Sequence, residues 1–281
     1  HRDLHLSLRR QRQMCIRDRF MSSKKINVKS VFLSDLHLGT PGSKALAIDG
    51  FLKNIKAENI FLVGDIIDGW QMAKNPYWPQ SHTDVVRRIL SKARKGANIY
   101  YAIGNHDEML RKWLFFKLKF GNIEIKDRFE YKALDGKKYL ILHGDYFDGI
   151  HSGFPFIAHV GDFAYHFIIN FNKFFNKVRM RMGLEYWSLS KFLKQKVKKA
   201  VDALMKIEKS VVNYCKSNGF DGAILGHTHT PDMKEIDGIK YMNSGDWVEE
   251  CTSLLEHHDG SWELYRYDNK HWFDQVKDEK S

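Results

Sequence analysis

The sequence predicts an α/β fold in which buried strands carry polar residues to a common crevice. Five short apolar runs lead there: Val31-Phe-Leu33, Ile60-Phe-Leu-Val63, Ile99-Tyr-Tyr-Ala-Ile103, Tyr139-Leu-Ile-Leu142 and Ala223-Ile-Leu225. They are rich in β-branched and aromatic residues, and their hydrophobicity is continuous rather than alternating, as in strands covered on both faces. Each run is closely followed by metal-ligating or glycine residues: Asp35-Leu-His37, Gly64-Asp65-Ile-Ile-Asp68, Gly104-Asn105-His106-Asp107, His143-Gly-Asp145 and Gly226-His227-Thr-His229. Ligands delivered at the carboxyl ends of several such strands meet in one crevice, the usual place for an active site in an open α/β sheet.

The remaining elements follow in chain order. Helices are expected around Ala45 to Lys56 and Thr83 to Ala93. The run Gln71 to Gln80, with Pro76 and Pro79 and with Trp70 and Trp78 close by, reads as an irregular loop beside the site. Residues 150 to 216 read as a helical insertion, and Phe220 resumes the strand pattern. Met233 to Asp237, Gly238 and Ile239 to Met242 form an expected hairpin, with closing strands at Ser253 to Leu255 and Trp262 to Tyr267. The oily stretch Phe154 to Phe171 is broken by His159, Gly161, Asp162 and His166, so a membrane span is not expected.

Composition bounds the function. A chain of 281 residues, 43% hydrophobic and 28% charged, can bury a large core, which argues against disorder. Its three cysteines, at 15, 215 and 251, have neither disulfide-scaffold nor metal-pair spacing, so a reducing compartment and no cysteine chemistry are expected. His1 to Phe20 carries six Arg and two Asp without an apolar signal core; residues 1–20 read as a non-native or disordered extension ahead of a start at Met21. The domain expected from this reading comprises 26–149 and 217–274, with 150–216 inserted between.

The polar blocks have a common chemistry. Two hard divalent ions held close together call for carboxylates to neutralise charge, imidazoles to direct coordination, and an oxygen shared between them. Asp65, ending a buried strand after glycine, is the candidate for that bridge. Asp35 and His37, two apart, can share one side of an extended segment, and His227 and His229 repeat that spacing. Asn105 offers a neutral carbonyl oxygen and His143 an imidazole.

These five blocks, in this order, resemble the D-x-H, G-D-x-x-D, G-N-H-[DE], His-containing and G-H-x-H pattern of the calcineurin-like metallophosphoesterases, over roughly residues 28 to 247. The resemblance implies a β-sandwich flanked by helices and a site for two divalent ions, with Mn²⁺ favoured and Fe²⁺ or Zn²⁺ also suited to the ligands. It further implies Asp35, His37, Asp65 and His229 as ligands of one ion, and Asp65, Asn105, His143 and His227 as ligands of the other. His106, turned away from its neighbour Asn105, is then the catalytic group facing the phosphoryl, with Asp68 holding its other ring nitrogen. Asp107 and Asp145 are expected as acceptors behind the ligands, because two more carboxylates would overfill six-coordinate ions.

Within that superfamily the length, the His-Gly-Asp segment and the helical insertion are similar to the UDP-2,3-diacylglucosamine pyrophosphohydrolase family. That family cleaves a lipid-linked nucleotide to UMP and 2,3-diacylglucosamine 1-phosphate at the cytoplasmic face of the inner membrane, in lipid A synthesis. Two departures are plain: the best-known branch carries arginine after the asparagine of the third block where this chain carries His106, and Trp70 with the Pro-rich loop after Asp68 does not match that branch. From 170 to 216 there are twelve Lys or Arg against three acidic residues, interleaved with Phe171, Phe174, Phe175, Trp187 and Phe192. Read with the resemblance, this insertion is a lid, with Phe174, Phe175, Lys177, Arg179 and Arg181 as substrate-binding candidates and an anionic membrane surface as partner. Read alone, it is equally a set of helices with a solvated lysine face. No specific nucleic-acid partner is expected, since base-reading or stacking motifs are lacking, and the sequence carries no signal for oligomeric state. The alternatives in play are a phosphodiesterase or phosphomonoesterase of different substrate, a nuclease, and a scaffold without chemistry.

Overall fold

The computed structural model describes residues 25–116, 119–150 and 189–267. The extension 1–20 and the lid candidates Phe174, Phe175, Lys177, Arg179 and Arg181 lie outside these residues. The described fold is mixed α/β with two sheets.

The first sheet has seven strands. They are β1 (Ile26–Leu33), β2 (Ile55–Val63), β3 (Asn98–Ala102), β4 (Lys119–Phe120), β5 (Ile123–Lys126), β11 (Thr252–Glu256) and β12 (Trp262–Arg266), in the order β12-β11-β1-β2-β3-β5-β4. The second has five: β6 (Arg128–Lys132), β7 (Lys138–Leu142), β8 (Gly222–Leu225), β9 (Asp232–Ile236) and β10 (Ile239–Asn243), in the order β6-β7-β8-β10-β9. Both sheets have parallel centres and antiparallel edges. Parallel pairing aligns Val31 with Ile60 and Ile60 with Ile99, so the segments after β1, β2 and β3 leave the sheet side by side.

Strand alternation builds the layers. Val31, Leu33, Ile60, Leu62, Ile99 and Tyr101 point outward, to Ile48, Phe51 and Leu52 of helix α1 (Ala45–Asn54) and to Val85 and Ile89 of helix α3 (Gln80–Arg94). Their neighbours Phe32, Phe61, Val63 and Ala102 point inward, against Tyr139, Ile141, Ile224 and Met242 of the second sheet. Phe32 stacks on Phe61 at 4.7 Å and Phe61 on Tyr100 at 4.6 Å, an aromatic ladder across three strands. The far side of the second sheet presents Leu140, Leu142, Ala223, Leu225 and Tyr241 to Val211, Val212 and Cys215 of helix α4 (Leu189–Asn218). The last turns of α4 are thus part of the core, and Gly219 at φ +71° ends the helix. Full burial of each large apolar side chain contributes about 1.5–3 kcal/mol.

Three differences from the sequence reading have local causes. Helix α1 stops at Asn54 because Ile55 is buried and pairs with Ile26, so β2 begins without a loop. The run Gln71 to Gln80 was expected as irregular, but its first residues, Gln71 to Lys74, belong to a short helix, α2 (Gly69–Lys74), capped by Asp68, whose Oδ1 accepts from the Gln71 amide at 2.8 Å. Strands β4, β5 and β6 were not expected. They are short and charged, and their side chains do not form an apolar run.

Candidate active site

The site begins with backbone conformation. Asp35 (φ 54°), His37 (45°), Asp65 (54°), His227 (70°) and His229 (53°) all occupy the left-handed region, which side chains with a Cβ seldom adopt. The sequence reading took Asp35/His37 and His227/His229 as extended pairs; the structure corrects this. Each chain turns sharply on leaving its strand. The turns are held by hydrogen bonds from Asp35 N to Gly64 O and from His37 N to Asp65 O, each 3.0 Å, which knit the first two ligand segments together. Such strain persists only where the surroundings over-determine it, and it gathers at functional sites.

Two of the glycines in these blocks make room for ligands. A Cβ on Gly64 would lie 2.4 Å from the His143 ring, and one on Gly104 would lie 2.2 Å from Asp65 Oδ1. The second sheet's histidine therefore packs directly over the turn of the first.

Donor atoms then converge in three groups: Asp35, His37 and His229; Asp65, His143 and His227; and His37, Asp68 and His106, with the chosen atoms of each group within 4.8 Å of one another. His229 Nε2 is 3.1 Å and His37 Nε2 3.8 Å from Asp35 Oδ1, while the Nε2 atoms of His37 and His229 are 3.4 Å apart. Asp65 Oδ2 lies 3.1 Å from His143 Nε2 and 3.9 Å from both His37 Nε2 and His106 Nε2. Asp65 therefore stands between the first two groups.

The imidazoles are aimed from behind. His143 Nδ1–H donates to the Val63 carbonyl at 2.9 Å, leaving Nε2 to face inward. His37 Nδ1 and His106 Nδ1 lie 3.2 and 3.0 Å from the same oxygen, Asp68 Oδ2. His229 Nδ1 lies 3.2 Å from Asp246 Oδ2. The carboxylates are held too: His106 N–H donates to Asp65 Oδ1 at 2.8 Å and His227 N–H to Asp35 Oδ2 at 3.0 Å.

Charge follows this crowding. Burial alone would raise the Asp35 carboxyl, but His229 and His143 outweigh it and hold the group well below the carboxylate range. Burial opposes charge on His143, yet Asp65 and Asp35 push its pKa up to about 10. His229 is likewise pushed up to about 10 by Asp35 and Asp246. For His106 the same contest of burial against Asp68 and Asp65 ends in an upward shift.

The donor set fits divalent cations. Asp35 Oδ1, Asn105 Oδ1 and His143 Nε2 are buried without a hydrogen bond of acceptable geometry, an expense that coordination would relieve. Oxygen and imidazole donors suit Mn²⁺, Fe²⁺ or Zn²⁺.

Asp107 and Asp145 sit differently from one another. Asp107 is fully buried, accepts from Tyr101 Oη–H at 2.8 Å and from the Gly104 amide at 3.5 Å, and is pushed up to about 7 by burial and by Asp65. Asp145 accepts from Arg111 at 2.7 Å. Asp246 escaped the sequence reading, and Trp70 was named there only with the loop beside the site, without a role. Asp246 accepts from the amides of Val248, Glu249 and Glu250 while facing His229. It follows β10 in Asn243-Ser-Gly-Asp246, the same strand, glycine, aspartate order as at Gly64-Asp65, and that echo was the available signal. Trp70, whose ring lies 4.5 Å from His106, carried no motif.

The family model of the calcineurin-like phosphoesterases matches residues 28–231. The chain belongs to that family and is a metal-dependent phosphoester hydrolase. It is similar to the UDP-2,3-diacylglucosamine hydrolase of Aliivibrio fischeri, at 28% identity over 266 residues, covering 85% of this chain and 99% of the relative. It is also similar to the protein of that name from Neisseria meningitidis serogroup B, at 28% identity, covering 80% of this chain and 92% of the relative. Among solved structures, an archaeal phosphodiesterase matches with a TM-score of 0.38 and 16% identity, covering 84% of this chain and 98% of its own.

Proposed function

We propose that this hydrolase cleaves the pyrophosphate of UDP-2,3-diacylglucosamine to UMP and 2,3-diacylglucosamine 1-phosphate, on two divalent ions held side by side. The observation that carries the reading is the pair of ligand groups, Asp35/His37/His229 and Asp65/His143/His227, with Asp65 Oδ2 within 3.1 Å of one and 3.9 Å of the other. Ions bound there supply Lewis-acid polarisation of the phosphoryl oxygens and a nucleophilic water at neutral pH. Asp65 is then the shared ligand, and the buried Asn105 Oδ1 offers a further, neutral donor atom. The curated relatives support the substrate by name and by matching this chain over most of both lengths.

The protein's own groups do the rest. His106 is oriented by Asp68 at one nitrogen and faces Asp65 with the other, so Nε2 is placed to give its proton to the leaving oxygen as the pyrophosphate bond breaks. Asp68 faces both His37 and His106 and keeps them in register. The aromatic and basic composition of residues 170 to 216 supports an insertion that covers acyl chains and rests against an anionic inner-membrane surface from the cytoplasmic side. Mn²⁺ is the favoured ion. Among the described residues no helix is long and apolar enough to cross a membrane.

His106, where the best-known branch has arginine, favours a second reading: a phosphodiesterase acting on another substrate through the same centre. Product analysis after incubation with UDP-2,3-diacylglucosamine and Mn²⁺ decides. UMP release that chelation abolishes is the expected result. Turnover of simple phosphodiesters with an intact lipid nucleotide would replace the first reading with the second.

A further inference from the structure

We propose that Trp70 and Glu108 form the nucleobase seat of this site, Trp70 giving a stacking face and Glu108 an edge contact that selects uracil. The inference rests on the nucleotide substrate proposed above and assigns the part of the site that recognises its base.

Trp70 stands in the first turn of α2, two residues after Asp68, and 45% of it is exposed beside the catalytic centre. Its ring lies 4.5 Å from that of His106, inclined by 36°. Both ends of this contact are held without any ligand. The Gly69 amide donates to the His106 carbonyl at 3.0 Å, and the indole Nε1–H donates to Glu108 Oε1 at 3.0 Å. Residue 69 has to be small for this approach, since a Cβ there would lie 3.0 Å from the His106 carbonyl and 3.2 Å from Met109 Sδ. The result is a large aromatic face, fixed in direction and left in water, next to the group that meets the phosphoryl. Preorganisation of this kind lowers the cost of binding, and a fixed aromatic face gives a base a platform on which to stack.

The chemistry around the indole selects its occupant. An acyl chain gains nothing from a carboxylate at the rim, and a phosphate would be repelled by it. A flat ring with an N–H on its edge uses both features. Glu108 Oε1 is taken by the indole, and Oε2 has no partner among the described residues, so it can accept from the N3–H of uracil. Cytosine presents an acceptor at that position, which would set lone pair against lone pair. The seat therefore discriminates between pyrimidines.

Binding of UMP, CMP and ribose 5-phosphate to the Mn²⁺-loaded protein, followed by calorimetry, tests this apart from turnover. UMP should bind roughly 10-fold more tightly than ribose 5-phosphate, within the range a base–aromatic stack provides. Trp70→Ala should erase that margin while ribose 5-phosphate affinity stays as it was, and Trp70→Phe should restore much of it. Glu108→Gln keeps an acceptor for the indole but adds a donor, so the UMP preference over CMP should shrink or invert. Equal binding of UMP and ribose 5-phosphate by the wild type, or equal weakening of both by Trp70→Ala, would overturn the stacking role. An unchanged UMP to CMP ratio in Glu108→Gln would overturn the edge contact. A wild type that prefers UMP yet leaves UDP-2,3-diacylglucosamine intact loses the substrate assignment and keeps the base seat.

Discussion

The two sheets contribute unlike donor groups to the candidate site. Segments leaving the seven-stranded sheet bring Asp35, Asp65, Asp68 and the amide Asn105, together with His37 and His106. Segments leaving the five-stranded sheet bring only imidazoles to the centre, His143, His227 and His229, with Asp246 behind the last. The candidate metal site is therefore an interface: carboxylate-rich on one wall, imidazole on the other, closed by the core of Phe32, Phe61, Tyr139 and Ile224 between the sheets. Neither of the groups Asp35/His37/His229 and Asp65/His143/His227 is complete on one wall, which ties metal binding there to correct packing of the whole sandwich.

The hardest test of that division removes its one shared residue. Asp65→Ala is expected to cut kcat by more than the roughly 10- to 100-fold typical of losing a partner behind a ligand, and by more than Asp68→Ala does. Calorimetry should show the two-site metal isotherm collapse. Two ions bound with unchanged affinity would show that Asp65 is not shared between the walls.

His106 belongs to the carboxylate wall but is assigned to chemistry rather than coordination. His106→Ala should keep its metal content and lose about 10²-fold or more in kcat, the scale for a proton donor in the transition state. Loss of metal in this variant would move His106 among the ligands, and an unaltered kcat would remove its catalytic role.

The imidazole wall can be weakened from behind. Asp246→Ala leaves every ligand in place but frees His229 Nδ1 from its 3.2 Å contact, and metal affinity is expected to fall about 10- to 100-fold. Titration with Mn²⁺ measures it. An unchanged affinity would mean that the turn at His229 is set by its backbone alone.

The last test is a pH profile of stability in the metal-free protein. His143 and His229 are raised from 6.5 to about 10 on folding, so the stability they contribute is complete below about 6.5 and declines as pH rises towards 10. Asp35 is depressed, so its contribution is present above about 3.8 and declines as pH falls through its lower folded value. The metal-free Tm should therefore peak between these limits and fall on the alkaline side, while Mn²⁺, which takes the place of the imidazole protons, should hold the alkaline Tm up. A flat metal-free profile from pH 6.5 to 10 would show that the two walls are not linked by charge.

Much of this architecture was legible locally. A strand buried on both faces has to be apolar throughout, so Ile60 to Val63 or Tyr139 to Leu142 announce themselves, and the ligand blocks stand out because polar residues gather where such runs stop. Strands β4 to β6 escaped because they are short and carry only a half-buried, partly charged pattern, as in Ile123-Glu-Ile-Lys126 of β5, while β4 and β6 lie at sheet edges. Helix α2 escaped because Asp68 has two uses. Assigned to His106 alone, it gives no sign that its other oxygen caps the following turn.

The sequence by itself determined the inventory of the site, the class of the fold and the order in which the ligands arrive. These depend on residue type and on spacing along one strand end, which are local properties. Tertiary structure decided which ligands share a group, that five of them sit at positive φ, that Asp246 stands behind His229, and that Trp70 faces His106. Each of these depends on contacts between separate segments of the chain, fixed only when two apolar sheet faces close on each other. Burial drives that closure without regard to the chemistry at its edge, so no short stretch of sequence records which polar atoms will meet there.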